Sequence, residues 1–427
     1  MFKIPDLRKR IVFTLLMFGV YRLGAAVPVP GVDLDAVQRL TESGTQAGIY
    51  GLLNLFSGGA LETFSVFALG IMPYITASII LQLLTVVIPR LQKLQEEGES
   101  GRKIITQWTR YVTVVLALLQ STGLTYIFSR GSLTGGISLI PNYTPSRVGL
   151  IVLTMTAGTA FIMWLGELIS QRGIGNGMSL IIFASIISQL PASFGGAYQV
   201  TAGQGRIGQF SVLVLMFFLM IVGIIYVEQG QRRIPIQFAK RVRGRKVMGG
   251  QSTYIPLKVN SAGVIPVIFA TSVLFFPALI ATSLPQDNRV TAGIKNWIDA
   301  NLANSQSWFY IFFLGMLIIF FTYFYTTIQF DPVRQSDMIR RQGGFIPGVR
   351  PGISTTNYLS HIINRITLPG SVFLASVAVL PSIASAIWDI PLGFSGISIL
   401  ITVGVALETM KQVDSQLSMR NYEGFID

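Results

Sequence analysis

The stretch WFYIFFLGMLIIFFTYFYTTIQF, residues 308–330, contains no Asp, Glu, Lys or Arg. At a rise of 1.5 Å per residue, an uncharged run of roughly 20 residues spans the hydrocarbon core of a bilayer. Further runs of this kind lie at residues 111–128, 148–166, 178–197, 207–227 and 260–284. Because a water-soluble protein has no way to bury so many such runs at once, they indicate a multi-pass membrane protein.

Weaker apolar runs complete the pattern at residues 11–28, 72–89, 366–388 and 393–407, the first of which carries Arg22. The sequence therefore predicts an all-α polytopic membrane protein with ten transmembrane helices. Charged residues make up only 12% of the 427 residues, against about 25% in ordinary globular domains. The basic start at 1–10 raises the possibility of a signal peptide. Without a small-residue cleavage site, we interpret the first run as a retained anchor.

The positive charges predict the orientation of the chain. If the N terminus is cytoplasmic, 25 of the 32 Lys and Arg residues lie in segments on the cytoplasmic side. Loops on that side carry an excess of Lys and Arg in multi-pass proteins. We therefore expect both termini to be cytoplasmic.

Two cytoplasmic loops, about 229–259 and 331–365, are longer than a connection requires. The first alternates apolar and basic residues and then reaches Gly249-Gly250, which predicts a short β-hairpin closing there. The second contains Arg340-Arg341 followed by GGFIPGVRPG. Two interpretations stay open: the charges anchor the loops against anionic lipid, or they form a docking surface for an acidic or RNA-rich partner.

Residues 52–89 are too many for one span, and Gly58, Gly59, Gly70 and Pro73 break them. This pattern predicts a short helix at about 54–67, followed by a full span from Met72. A half-helix at membrane depth is tolerated only where protein or a water-filled cavity surrounds it. An interfacial helix on the outer surface is the alternative.

Few residues in the sequence are suited to catalysis or metal binding. The chain has no cysteine, which excludes disulfides, and its single histidine, His361, leaves little for a zinc site. We expect no enzymatic activity and no cofactor. Arg22, Glu167, Glu228 and Glu408 fall within or at the ends of spans, and none forms an evident pair at the membrane midplane. Their scarcity argues against a proton-coupled carrier, while a sodium-coupled carrier built from backbone carbonyls is argued against less strongly.

Four segments resemble the SecY family, in order along the chain. WLGE at 164–167, continuing through QRGIGNG at 171–177, resembles the family's signature between its fourth and fifth helices. FSGGALETFSVFALGIMPYITASII at 56–80 resembles its plug and second helix. PLKVNSAGVIPVIFA at 256–270 and GGFIPGVRPG at 343–352 resemble two more family segments.

The resemblance implies two pseudo-symmetric five-helix halves, residues 1–197 and 198–427, around a central pore. The second and third helices would face the seventh and eighth at a lateral gate. The implied ring of pore residues is Ile75, Ile79, Met178, Ile182, Ile268 and Ile401. The implied plug residues are Asn54, Phe56, Ser57, Gly58, Gly59, Leu61 and Phe64. The implied cytoplasmic docking residues are Arg241, Arg243, Arg245, Lys246 and Arg350.

By this resemblance, the chain would translocate unfolded preproteins across the cytoplasmic membrane and release transmembrane segments into lipid. The family's partners are the small membrane subunits SecE and SecG, the SecA ATPase, the ribosome, the signal sequence of the preprotein and anionic lipids. A secondary transporter of a small solute is the alternative, since it would share ten spans and a broken helix.

Overall fold

The computed structural model describes residues 5–33, 35–37, 54, 57–129, 139–140, 143–238, 241–243, 246–248, 252–283, 289–302, 304, 306–388 and 395–423. The helices in this part of the chain are α1 (Pro5–Ala26), α2 (Met72–Val87), α3 (Pro89–Glu96), α4 (Glu99–Ser129), α5 (Pro145–Arg172), α6 (Gly177–Gly203), α7 (Ile207–Gln229), α8 (Ile265–Ser283), α9 (Arg289–Asn301), α10 (Trp308–Gln329), α11 (Pro332–Arg341), α12 (Ile353–Trp388) and α13 (Gly396–Glu423). The strands are β1 (Gln231–Phe238), β2 (Arg241–Arg243), β3 (Lys246–Met248), β4 (Ser252–Lys258) and β5 (Gly344–Phe345).

Ten of these helices follow the ten predicted runs in chain order: α1, α2, α4 to α8, α10, α12 and α13. Seven of them, α4, α5, α6, α7, α10, α12 and α13, are long and apolar enough to cross a membrane. The pair α2 and α3, bent by 102° where Pro89 begins α3, makes an eighth span if counted as one. The all-α polytopic fold is confirmed. The count of ten stays a prediction for α1, which carries five charged residues, and for α8, in which Ile265–Leu274 forms a shorter apolar helix.

The outer helix faces are apolar and exposed. On α7, Leu215 is 60% exposed, Leu219 63% and Val222 63%, and their spacing of three and four residues places them on one side of the helix. In water such a stripe would be unfavourable, whereas hydrocarbon solvates it. The central core buries residues of α1, α2, α5 to α8, α10, α12 and α13 in one cluster.

The two basic loops fold together on the cytoplasmic side of the predicted orientation. Strand β1 pairs antiparallel with β4, from Gln231 opposite Lys258 to Gln237 opposite Ser252. This confirms the predicted hairpin, within which β2 and β3 form a second antiparallel pair, from Arg241 opposite Met248 to Arg243 opposite Lys246. The predicted closure at Gly249-Gly250 lies outside the described residues. Strand β5 of the second loop pairs with the other edge of β1, which makes the two loops one structural unit.

The helix predicted at about 54–67 is wrong beyond its start. Asn54 and Ser57 are helical, but residues 58–64 and 66–71 form turns. Gly58, Gly59 and Gly70 have φ of +68°, +86° and +56°, in the left-handed region that ends helices and that glycine adopts at little cost. Phe64, with φ of +43°, is the non-glycine residue in this region among those described. The segment is thus a compact chain of turns, held by contacts to other elements.

Close backbone crossings depend on glycine at a few positions. A Cβ on Gly158 of α5 would lie 2.0 Å from the carbonyl oxygen of Val66. The same atom on Gly149, two turns earlier in α5, would meet nothing within 4 Å.

We expect Gly158→Ala to destabilise the protein by about 1–3 kcal/mol, because the methyl group would force α5 away from the backbone at Val66. Gly149→Ala is the matched control and should leave stability unchanged or slightly improved. Unfolding midpoints in one detergent would measure both. Equal midpoints for the two variants would contradict the close crossing.

Candidate functional site

The six residues of the predicted ring all belong to the central core. Helix α2 contributes Ile75 and Ile79, which lie one turn apart and so on one face. Helix α6 contributes Met178 and Ile182 with the same spacing. Ile268 of α8 and Ile401 of α13 complete the set. Five of the six are buried in one hydrophobic cluster, and Ile75 packs against it half-buried.

The side chains of this cluster at the ring positions carry no strong hydrogen-bonding group. Ile401 is 1% exposed and Ile182 5% exposed, so dispersion and the hydrophobic effect hold them together. The sulfur of Met178 lies close to the backbone of α5 at Gly166, where an added Cβ would be only 2.3 Å from it. The flexible thioether therefore packs over the bare backbone of α5.

The segment predicted to be the plug, residues 54–67 and called the plug segment below, has described residues in this cluster and in a second one. Its Ala60 and Phe67 are buried in the central cluster with the ring residues. Its Leu61 and Phe64 are buried in the second cluster, where the Phe64 ring meets the edge of Phe128 at 5.1 Å. Asn54, Ser57, Gly58 and Gly59 lie at its beginning, while Phe56 lies outside the described residues.

Local hydrogen bonds shape the start of the plug segment. The Asn54 carbonyl accepts from the Gly59 amide at 3.0 Å, and the Asn54 side chain accepts from the Glu62 amide at 3.2 Å. The Ser57 hydroxyl accepts from the Leu61 amide at 3.1 Å. Each bond satisfies a donor that a regular helix would have paired.

Two adjacent residues of α1 also bond the backbone of the plug segment. The Tyr21 hydroxyl donates to the Ser57 carbonyl at 3.0 Å and lies 2.7 Å from the Ser185 hydroxyl of α6. The Arg22 guanidinium donates to the Gly58 carbonyl at 2.7 Å. The sequence had marked Arg22 as an ionisable residue within a span, but nothing in it indicated the contact of Tyr21.

One of the ionisable residues of the spans, Glu167 near the end of α5, has a charged partner. Its carboxylate accepts two hydrogen bonds from Arg110 of α4, at 2.7 and 2.8 Å. Arg110 immediately precedes the uncharged run at 111–128, which is the signal that sequence reading missed. Glu228 accepts from the Asn260 amide at 2.6 Å, and Glu408 is exposed.

Polar contacts also join α2 and α3 to α10 and α11. The Tyr325 hydroxyl of α10 donates to the Gln82 side-chain oxygen of α2 at 2.5 Å. Arg334 of α11 pairs with Glu96 at the end of α3. Beside them, α8 packs against α4. None of these polar partners was predicted. Gln82 and Tyr325 are polar residues within apolar runs, which is a weak signal for contact.

The described part of the basic loops exposes several cations. Ile234, Ile236, Leu257, Ile339 and Ile346 form an apolar core under the sheet. Arg232, Arg233, Arg340, Arg341 and Arg350 are exposed around it. Of the other docking residues, Arg241 and Arg243 lie in β2 and Lys246 in β3, and Arg245 lies outside the described residues. The loops therefore present one basic surface in place of two.

The SecY family profile matches residues 65–410 of this chain. The chain belongs to the SecY family. Relatives named protein translocase subunit SecY include those of Streptomyces coelicolor, 51% identical, and Mycobacterium bovis, 48% identical. They align with 100% and 99% of this chain and with 98% and 97% of their own length. The match favours the translocation interpretation over a secondary transporter.

Solved structures similar to this SecY-family chain support its fold. One, described as a protein conducting channel, gives a TM-score of 0.62 at 17% identity and covers 95% of this chain and 92% of its own. A second, described as showing that the SecY plug domain stabilises the closed channel, gives 0.64 at 18% identity with the same coverage. A third, Sec61 in a canine ribosome–channel complex, gives 0.58 at 15% identity, again covering 95% and 92%.

Proposed function

We propose that this chain forms the pore of a protein translocase, conducts unfolded preproteins across the cytoplasmic membrane and has both termini in the cytoplasm. The observation that carries the proposal is the meeting of ring residues from α2, α6, α8 and α13 in one apolar cluster with Ala60 of the plug segment. Residues from four distant parts of the sequence share this cluster, which supports an apolar constriction next to the plug.

A conduit for unfolded chains must pass varied side chains and still block ions. Fixed polar groups would bind some segments and reject others. Apolar side chains make no specific hydrogen bonds, and a narrow apolar constriction loses its continuous water when empty. The ring Ile75, Ile79, Met178, Ile182, Ile268 and Ile401 has this chemistry. The plug segment, residues 54–67, would close the channel on its outer side until a preprotein displaces it.

Cysteine substitution tests the ring directly, because the chain has no native cysteine. We expect a single cysteine replacing Ile79 or Ile268 to crosslink to a cysteine in an arrested preprotein. Leu219→Cys, on the exposed face of α7, is the matched control and should not crosslink. Crosslinks only at Leu219→Cys, with none at the two ring positions, would refute the pore assignment.

The contacts between α2 and α10 support a lateral gate between α2 with α4 and α8 with α10. A segment in the pore would reach lipid by parting these helices. Release would then follow transfer energy: at the helix centre Leu favours lipid by a few tenths of a kcal/mol, and Lys disfavours it by about 2.5–3.5 kcal/mol. The hydrogen bond of Tyr325 to Gln82 stabilises the closed arrangement.

We expect Tyr325→Phe to ease opening of the gate, because it removes the hydroxyl that bonds Gln82 across the two helix pairs. Losing one such bond costs about 1 kcal/mol. The segment that inserts half of the time should therefore contain about one Leu fewer, replaced by Ala, in the variant than in the wild type. Insertion of a graded Leu/Ala segment series would measure the threshold. Tyr226→Phe, on a tyrosine that is 82% exposed on α7, is the control. An unchanged threshold in Tyr325→Phe would exclude the bond as a gate contact.

Other subunits would supply energy and stability. The sequence contains no nucleotide-binding motif, so the driving force must come from a docked partner such as the SecA ATPase or a translating ribosome. Two structural neighbours, Sec61 and yeast Ssh1, are described in complexes with ribosomes. We assign SecE and SecG as membrane partners, with anionic lipid at the basic surface.

The pore would open between two five-helix halves, residues 1–197 and 198–427, and we assign no catalytic step to the chain itself.

The basic surface gives a prediction for docking. Arg350 is exposed, and its carbonyl accepts from the Thr355 hydroxyl at 2.9 Å, so a change of side chain leaves that local bond intact. We expect Arg350→Glu to abolish SecA-driven transport into inverted vesicles, since it would place a negative charge among the cations that face the partner. The protein should fold normally, as judged by its detergent unfolding midpoint.

Arg206→Glu is the control, because Arg206 is also exposed but lies in the short connection between α6 and α7. It should transport at close to the wild-type rate. Normal transport by Arg350→Glu would refute the docking assignment.

A further inference from the structure

Arg22 is a charged residue within the apolar run of α1. Because a charge inside a membrane span is costly, such a residue is a candidate for a functional role. Its guanidinium donates to the Gly58 carbonyl at 2.7 Å and to the Ser188 hydroxyl of α6 at 3.2 Å. Among the described residues no carboxylate pairs with it, since the ion pairs there involve other residues. The charge of Arg22 therefore binds neutral oxygens, one of which belongs to the plug segment.

The Gly58 carbonyl needs this partner. Gly58 and Gly59 both have positive φ, and within the described part of the chain no backbone amide donates to the Gly58 oxygen. A buried carbonyl without a partner costs roughly 1–3 kcal/mol. Arg22 removes that cost only while the plug segment is seated, because its position on α1 is fixed by the helix.

Tyr21 acts on the preceding peptide. Its hydroxyl bonds the Ser57 carbonyl and the Ser185 hydroxyl, so it joins α1, the plug segment and α6. The Tyr21 ring stacks on Phe67 at 5.8 Å, which fixes its direction. Tyr21 and Arg22 thus bond two consecutive carbonyls of the plug segment from two consecutive positions of α1.

The fit around the turn is close as well. A Cβ on Gly58 would lie 3.2 Å from the Tyr21 hydroxyl and 3.0 Å from Cα of Ser185, and a Cβ on Gly59 would lie 2.0 Å from the Gln189 side-chain nitrogen. The turn therefore rests directly on α1 and α6.

We propose that Tyr21 and Arg22 form a latch on α1 that holds the plug segment closed through the carbonyls of Ser57 and Gly58. They are positioning residues: they touch the plug segment and set how readily it leaves, without touching the preprotein. The proposal rests on the proposed function, because it takes residues 54–67 as the plug. A preprotein must break both hydrogen bonds to open the channel, so the latch sets part of the opening threshold.

The test uses the full chain, reconstituted with its membrane partner subunits in proteoliposomes. Ser57→Cys places the single cysteine at a side chain that is 1% exposed, so its reaction with a membrane-impermeant maleimide reports displacement of the plug segment. An arrested preprotein should accelerate this reaction. In the resting channel we expect Arg22→Ala to accelerate it about tenfold, which corresponds to loss of one hydrogen bond from a charged donor.

Three further variants separate the latch from general loosening. Arg22→Lys keeps the charge and a donor and should fall between wild type and Arg22→Ala. Tyr21→Phe keeps the ring and should accelerate labelling several-fold. Leu23→Ala, at a neighbouring side chain that is 72% exposed, should label at the wild-type rate. Ion flux through resting channels without the cysteine should follow the same order, which provides a second measurement if Ser57→Cys perturbs the turn.

The outcomes distinguish the latch from the plug. If an arrested preprotein accelerates labelling but Arg22→Ala leaves resting labelling and ion flux unchanged, the latch is wrong and the plug stands. Equal acceleration by Arg22→Ala and Leu23→Ala would also overturn the latch. If an arrested preprotein leaves labelling unchanged, residues 54–67 are not the plug, and the latch falls with that assignment.

Discussion

Peptide groups that leave helical hydrogen bonding inside a hydrocarbon-facing bundle need partners from the protein, because lipid offers none. The plug segment meets this constraint at each end. At its start, side chains of α1 bond the carbonyls of Ser57 and Gly58. At its end, the Val66 amide donates to the Val27 carbonyl and the Phe64 carbonyl accepts from the Val29 amide, both at 2.9 Å. An irregular segment can therefore exist at the centre of an otherwise helical protein.

The same constraint explains how a segment can be ordered and still removable. The backbone groups of a transmembrane helix bond one another, so the helix is hard to break. The carbonyls of the plug turns bond side chains of other elements, and they can bond water instead when the segment moves into an aqueous space. The apolar cluster that holds the predicted ring residues imposes little directional preference, since dispersion contacts can be exchanged for contacts with another side chain. Directional hydrogen bonds at the plug segment and non-directional packing at the ring together suit a closure that opens without unfolding its surroundings.

Sequence patterns predicted the parts of this fold that depend on composition and period. The apolar runs located the helices, and the alternation after Gln229 located the hairpin, because both follow from local periodicity. Glycines at 58, 59 and 70 marked a break in the chain, but its form depends on partners far away in sequence, so a helix was the wrong choice. The pairing of β5 with β1, the Arg110–Glu167 ion pair and the Tyr325–Gln82 hydrogen bond are long-range, and no local pattern encodes them. The ring residues were recognisable only by family resemblance, since each alone is an ordinary core isoleucine or methionine.

The first six helices contact the later helices in two chemically different ways: the contact of α6 with α13 is apolar, and the contacts of α2 and α3 with α10 and α11 are polar. Helix α6 packs along α13, and Ile181 and Ile399 are buried in the shared core. On the other side, α2 and α3 meet α10 and α11 through Gln82, Glu96 and their partners. Parting an apolar seam exposes buried surface with no compensation from water, whereas parted polar groups can bond water or a passing peptide. Separating α2 from α10 therefore costs less than separating α6 from α13, which is what the proposed lateral gate between α2 and α10 requires.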